Sequence, residues 1–316
     1  MMKSARKIVL IGTGSVGASF AFAALNQDIC DELVMIDLNT AKVAADAADM
    51  QDGLANFTAK VNVWHGDYSD CHDADIVVIC AGIAQKPGQT RLELIQTNVK
   101  IASAITKDVV ASGFDGIFLV ASNPVDIISY AVWKTSGFAK ERVIGSGTAL
   151  DTARLRYQLS QLFNISARAI NACVFGEHGD SEFVAWSIAK VAGVPLIDLL
   201  EDRQLNQEEL EALYEQTRDA AYKIIEAKGA TYYGVAMALT RICKAIFGDE
   251  NELLMLSTLL QGEYGHEDVY ISVPCILGRQ GIRQVLTPEL SAEEADKLAY
   301  SVKVLRENNP LIQEAK

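Results

Sequence analysis

The chain has 316 residues, 50% of them hydrophobic and 22% charged, enough for one large or two ordinary domains with cores of their own. A net charge of -13 sets aside nucleic acid, whose binders need concentrated positive charge, and disfavours anionic membrane surfaces. Cys30, Cys71, Cys80, Cys173, Cys243 and Cys275 include no Cys-x-x-Cys pair, so buried reduced thiols in a cytoplasmic protein are expected, with no disulfide and no metal site. Lys3, Arg6 and Lys7 precede an apolar stretch, as in a secretory leader. Three glycines interrupt that stretch, and no apolar run is long enough to span a membrane.

In chain order, Ile8-Val9-Leu10-Ile11 predicts a buried parallel strand and residues 18–25 a helix. Between them Gly12, Gly14 and Gly17 stand in the spacing Gly-x-Gly-x-x-Gly. Gly12 permits a tight turn, Gly14 lets backbone approach a pyrophosphate, and Gly17 lets helix pack on strand. A second strand, Leu33-Val34-Met35-Ile36, ends in Asp37, about twenty residues on, where a carboxylate accepts the ribose hydroxyls of NAD and repels the extra phosphate of NADP. Alone, the pattern also fits a strand–turn–helix with Asp37 capping the next helix.

Further on, helices are expected over 41–54, 92–110 and 126–134, and strands over 61–64, 75–80, 117–120 and 142–145. This βαβ alternation predicts an α/β doubly wound parallel sheet of the Rossmann type over residues 1–146. The second half reads as an α+β substrate domain over 147–316, packed tightly on the first. It has expected helices at 150–162, 208–228 and 234–247, and expected strands at 169–175, 253–260 and 269–277. Ser291-Ala292-Glu293-Glu294 is a capping box opening the last helix.

Ligands of such sheets bind beyond the carboxyl ends of the strands. The polar residues there are the stretch Ala81 to Arg91, Ser122-Asn123-Pro124, Asp151 with Arg154, and Gly176-Glu177-His178-Gly179-Asp180. They suit a 2-hydroxy-acid dehydrogenase. His178 would take the hydroxyl proton, and Asp151 would fix its tautomer. Arg154, on the same helix face, would hold a carboxylate with its planar fork. Arg91, on a loop carrying Gly82 and Gly88, would polarise the carbonyl as the loop closes. Each has a plainer reading: His178 as a turn residue, Asp151 as a helix N-terminal acid, Arg154 and Arg156 as surface charges, Asn123 as a turn former, Asp180 as a structural hydrogen-bonding residue. A non-catalytic NAD-binding protein on the same fold is the alternative of a different class.

From Ile8 to near the C-terminus the sequence resembles the bacterial-type L-lactate dehydrogenases of the lactate/malate dehydrogenase family. The likeness rests on the glycine motif, the loop Ala81 to Arg91, Ser122-Asn123-Pro124, Leu150-Asp151-Thr152-Ala153-Arg154, Gly176-Glu177-His178-Gly179-Asp180 and Lys228-Gly229-Ala230-Thr231-Tyr232-Tyr233. The resemblance implies His178 as proton acceptor from lactate and donor to pyruvate, Asp151 as its partner, Arg154 as carboxylate clamp and Arg91 as mobile-loop arginine. It places Asn123 beside the substrate oxygen, Thr231 near the substrate side chain and Val235 against the nicotinamide. The implied NAD site includes Gly12, Gly14, Val16, Gly17, Asp37, Ala81, Gly82 and Asn123. A homotetramer is implied as well.

Related bacterial enzymes activated by fructose 1,6-bisphosphate resemble one another in an Arg–His basic pair. Here Arg156 keeps the first position and Asn171 replaces the His, so activation is expected to be weak or absent. Malate dehydrogenases resembling this chain carry Arg where Gln85 stands. Closing a loop over a dicarboxylate beside a neutral Gln85 would bury an unpaired charge. Pyruvate is therefore expected to be reduced much faster than oxaloacetate at equal concentration, and Gln85→Arg to reverse the order. Faster oxaloacetate reduction by the wild type would overturn this reading of Gln85.

Overall fold

In the computed structural model, residues 5–56, 60–83, 91–201 and 206–313 are described. The first half runs β1 (Lys7–Ile11), α1 (Ser15–Asn26), β2 (Glu32–Ile36), α2 (Thr40–Gly53), β3 (Asn62–His65), β4 (Ile76–Ile79), α3 (Arg91–Ala111), β5 (Ile117–Val120), α4 (Val125–Ser136) and β6 (Val143–Gly145). Continuous Ile, Val and Leu runs make β1, β4 and β5, and all their residues are buried, as strands covered by helices on both faces require. The six strands are parallel in the order β3-β2-β1-β4-β5-β6. The order reverses between β1 and β4, the crevice where such sheets bind ligands.

The second half runs α5 (Ala149–Phe163), β7 (Ile170–Asn171), β8 (Val174–Phe175), β9 (Phe183–Val184), β10 (Lys190–Val191), β11 (Val194–Pro195), α6 (Asp198–Glu201), α7 (Gln207–Lys228), α8 (Tyr233–Gly248), β12 (Glu252–Gln261), β13 (Glu267–Gly278), β14 (Gly281–Val285), α9 (Ala292–Asn308) and α10 (Pro310–Gln313). The capping box forms: Ser291 Oγ accepts from Glu294 N, and the Glu294 carboxylate accepts from Ser291 N. The long β12–β13 hairpin does not stand apart. Ser257 pairs with Gly145, so β12, β13 and β14 extend the parallel sheet to nine strands. α8 lies along α1, and one hydrophobic core runs through both halves. A second core, including Leu155, Leu159, Phe163, Trp186 and Tyr214, sits under α5 and α7. All six cysteines are unpaired, with Cys80 alone partly exposed. No described helix is long and apolar enough to cross a membrane.

The strand expected over 169–175 is broken. β7 joins a small sheet with β10 and β11, while β8 pairs with β9. The cause lies in α5 and its cap residue Thr148, whose side chains take the backbone groups in the middle of this stretch. Arg156 Nε donates to Ala172 O, Val174 N donates to Thr152 Oγ1, and Thr148 Oγ1 donates to Val174 O. β14 follows a two-residue connection after β13 and was not expected from the sequence.

At the glycine turn, Gly12 has φ +96°, and a Cβ there would lie 2.5 Å from Ala81 N. A Cβ on Gly17 would lie 1.9 Å from Gly12 O, so α1 meets the turn only because Gly17 has none. A Cβ on Gly14 would meet nothing within 4 Å. Gly17→Ala should therefore cost at least about 2 kcal/mol in urea unfolding. Gly14→Ala should leave the unfolding midpoint in place.

Candidate active site

The nucleotide end is built from β1, α1 and β2. Gly14 caps α1 with no side-chain hydrogen bond, so the first-turn N–H groups and the positive end of the helix dipole face the open space beside Gly14. Asp37 lies just past β2, half-buried. Its Oδ2 accepts from Thr13 N at 2.7 Å and its Oδ1 from Asn39 N at 2.9 Å. Burial pushes its carboxyl up, but the Asn39 and Thr13 donors and the Lys42 ammonium outweigh that and hold it below its ordinary value. Asp37 thus fastens the glycine turn to β2 while remaining an anion. Open room at Gly14, a helix start with no side-chain cap and an ionised Asp37 fit a pyrophosphate and a ribose diol.

The far wall of this crevice is the end of β4. Ala81 abuts Gly12, and Gly82 follows it. Buried Asn98, on α3, accepts from Ile83 N at 2.9 Å and donates to Asn123 O at 2.9 Å, tying the β4 and β5 loops together. Sequence reading passed over Asn98 because it sits mid-helix. Asn123 itself is exposed. Val16, on α1, and Val235, on α8, are half-buried against the core.

The chemistry-bearing group assembles on one carboxylate. Asp151, in the first turn of α5, accepts from His178 Nδ1 at 2.7 Å on Oδ2 and from Arg154 Nη1 at 3.0 Å on Oδ1. Its side chain is 8% exposed, against 28% for His178 and 21% for Arg154. Burial opposes the charge on Asp151, but His178 and Arg154 prevail and hold its carboxyl below the ordinary range. Burial likewise opposes charge on His178. The Asp151 carboxylate overrides it, with help from Glu182 and Asp126, and raises the imidazole to about 9.

Two buried acids that sequence reading did not single out support this group. Asp126, on α4, accepts from His178 N at 2.9 Å and from Ser257 Oγ at 2.5 Å. Its burial raises its carboxyl to about 6. Glu182 lies beside the pair: acceptor or ligand atoms of Asp151, His178 and Glu182 all fall within 4.8 Å of one another. Among the described residues this is the one cluster spaced to hold a metal ion, and the Arg154 guanidinium on Asp151 opposes a cation there.

Thr231 is half-buried just ahead of α8. The start of that helix meets the head of α5, since a Cβ on Gly234 would lie 2.8 Å from Leu150 Cδ1. Arg91 is the first residue of α3, and Gln85 lies outside the described residues. Asp180 accepts from Tyr222 on α7 at 2.8 Å, which joins the His178 loop to that helix. Arg156 turns onto Ala172 O at 2.9 Å and Cys173 Sγ at 3.8 Å, and Asn171 is exposed on β7.

Known families match both halves of this arrangement. Residues 6–145 match the lactate/malate dehydrogenase NAD-binding domain, and residues 148–315 its alpha/beta C-terminal domain. The chain belongs to the lactate/malate dehydrogenase family. It is 56% identical over 301 residues to L-lactate dehydrogenase 1 of Staphylococcus aureus strain N315, 95% of either chain. Its fold superposes with a TM-score of 0.96 on the minor L-lactate dehydrogenase of Enterococcus mundtii in its ligands-bound form, at 44% identity over 98% of this chain and 99% of the other. It superposes at 0.94 on the lactate dehydrogenase MGS-M5 from a Medee basin deep-sea metagenome library, at 46% identity over 96% and 97% of the two chains. As in the family, the cofactor of the first domain is NAD.

If Asp151 carries the raised basicity of His178, NMR titration of the imidazole should give a value near 9 in the wild type. In Asp151→Asn it should fall toward the ordinary 6.5 or below, because burial then acts without its counterweight. An unmoved His178 titration would show that Asp151 does not control it.

Proposed function

We propose that this protein is an NAD-dependent L-lactate dehydrogenase in which His178, Asp151, Arg154 and Arg91 act on pyruvate and lactate. The supporting observation is the single buried carboxylate of Asp151, shared by the imidazole of His178 and the guanidinium of Arg154. A protein that only bound the dinucleotide would have no need of that grouping. NAD, when bound, accepts or supplies the hydride at the substrate carbon.

The protein's own residues handle proton and charge. With Nδ1–H given to Asp151, Nε2 of His178 is the nitrogen left to face substrate. It donates a proton to the carbonyl oxygen of pyruvate and takes one from the hydroxyl of lactate. Asp151 keeps the tautomer and stabilises the imidazolium as it forms. Arg154 has guanidinium N–H groups beyond the one on Asp151, and these hold the substrate carboxylate. Arg91 stabilises negative charge developing on the carbonyl oxygen. Asn123 orients that oxygen, Thr231 borders the substrate methyl group, and Val235 packs against the nicotinamide. Gln85 leaves no partner for a second carboxylate. Gly12, Gly14, Val16, Gly17, Asp37, Ala81 and Gly82 hold the dinucleotide.

The protein works in the cytoplasm as a homotetramer, a reading supported by Phe22 on α1 and Tyr233 and Met237 on α8, each more than 60% exposed. Fructose 1,6-bisphosphate activates it weakly or not at all. Arg156 is engaged by its own backbone neighbours, and Asn171 adds no positive charge.

Mixing the protein with NADH and pyruvate should consume NADH absorbance. His178→Asn should slow this by about a hundred- to ten-thousand-fold. Retained activity in that variant would overturn the assignment, and a large bisphosphate-induced drop in the KM for pyruvate would overturn the regulatory part.

A further inference from the structure

The motif Gly176-Glu177-His178-Gly179-Asp180-Ser181 holds more than proton transfer at His178 requires. Glu177, Ser181 and the two glycines have no part in the chemistry above. Glu177 is buried, and so is Ser301, from the second half of α9. Ser301 Oγ accepts from Glu177 N at 2.7 Å and meets Ser181 Oγ at 2.9 Å. Ser181 Oγ in turn donates to Glu177 Oε2 at 2.6 Å.

Proton counting fixes the direction of the middle bond. A hydroxyl has one proton to give. Ser181 gives its own to Glu177, so Ser301 is the donor between the two hydroxyls. The bonds then run one way, from Glu177 N to Ser301, on to Ser181 and back to the Glu177 side chain. Bonds aligned in this way polarise and strengthen one another. The glycines make room for the ring. A Cβ on Gly176, which has φ +100°, would lie 2.9 Å from Ser301 Oγ. One on Gly179 would lie 3.0 Å from Glu177 Cδ, where the acid folds back over the loop.

His178 stands between the members of this ring. The N–H groups of 177 and 178 are taken by different helices, the first by Ser301 of α9 and the second by Asp126 of α4. Further along, Glu182 Oε1 accepts from Tyr214 of α7 at 2.8 Å. The Glu294 carboxylate that caps α9 accepts from Ser187 N at 3.0 Å. α9 therefore grips the chain on both sides of His178, at Glu177 and at Ser187.

We propose that Ser301 is a positioning residue for proton transfer: through the ring it shares with Glu177 and Ser181, α9 sets where the imidazole of His178 meets the substrate. This rests on the assignment of His178 as the acid–base group. Asp151 fixes one nitrogen of the imidazole. The other end of that side chain is the main chain, whose place depends on the bonds at 177 and 178. Without Ser301 Oγ, the buried N–H of Glu177 has no acceptor, and the loop must shift to find one. Proton transfer falls steeply with such a shift, about a hundredfold for roughly 1 Å. Arg154 and the nucleotide frame lie on other segments, so binding is spared.

The test reads the single-turnover rate of NADH and pyruvate in the full-length protein, beside the KM for pyruvate and the Kd for NADH. In Ser301→Ala the single-turnover rate should fall by about ten- to a hundredfold, with KM and Kd within about threefold of the wild type. Ser181→Ala should lose less, because Ser301 still takes the Glu177 N–H. Ser181→Thr keeps the hydroxyl and should turn over close to the wild-type rate. With Ser301→Ala already in place, adding Ser181→Ala should change almost nothing, since the ring is open. Should Ser301→Ala fail to fold, the contrast between Ser181→Ala and Ser181→Thr carries the test. A wild-type rate in Ser301→Ala, or no difference between the two variants at 181, would refute the proposal. So would losses that multiply in the double variant, or a loss confined to KM or Kd. Because His178→Asn tests the underlying assignment separately, an inactive His178→Asn beside an unaltered Ser301→Ala would sink this inference alone.

Discussion

Everything at the active site depends on keeping one carboxylate charged while it is buried. Asp151 does this because each of its oxygens accepts a bond from a group that is or becomes cationic, His178 on one and Arg154 on the other. Removing either partner from such a buried arrangement costs about 3–5 kcal/mol. The local fold exists to hold the three together. Asp151 and Arg154 come from one turn of α5, where the positive end of the helix also favours the acid. His178 comes from a different segment, and Thr148 and Thr152 clip that segment to α5 through Val174. The same clips, with Arg156 on Ala172 O, prevent the segment from forming one continuous strand.

The nucleotide end follows the opposite strategy: the helix start is left without a side-chain cap rather than paired. The first turn of α1 is uncapped by any side chain, and the ground beside Gly14 is clear. What is tightly bound there is the frame. Gly12 and Gly17 are pressed against backbone, Asp37 ties the turn to β2, and Asn98 ties the loops after β4 and β5. A rigid rim around an open anion site lets a ligand's binding energy go into contacts rather than into ordering the protein.

The sequence made the first half readable because its signals are local. Continuous Ile and Val runs, glycines at fixed spacing and an acid after the second strand all act on their near neighbours, and β1 to β6 lie where these signals put them. Asp151, Arg154 and His178 were legible for a related reason, since each follows a strand or opens a helix in a recognisable motif. The sequence paired Asp151 with His178, but the bond of Arg154 to the same carboxylate was not legible, because motif and spacing do not reveal which partner the fold brings to a polar group. Asn98, Asp126 and Glu182 were missed for the same reason. Asn98 and Asp126 look like ordinary polar helix residues, and Glu182 like one more loop acid. Only the partners brought to them by the fold, Ile83 and Asn123, His178 and Ser257, or Asp151 and Tyr214, give them a purpose. The break in residues 169–175 escaped notice because an apolar run does not reveal that α5 will claim its backbone.

The grip of Asp126 on the His178 main chain assigns mechanical ownership of the imidazole. Asp126 rides on α4, which follows the fifth strand, and its second oxygen is held by Ser257, the residue paired with Gly145 across the seam of the great sheet. The histidine is encoded in the back half of the gene but moored to scaffolding laid down by the front half. A chimaera joined at residue 146 to a relative with a different side chain opposite position 126 would inherit every motif residue intact. It would still hang its acid–base group on the wrong peg.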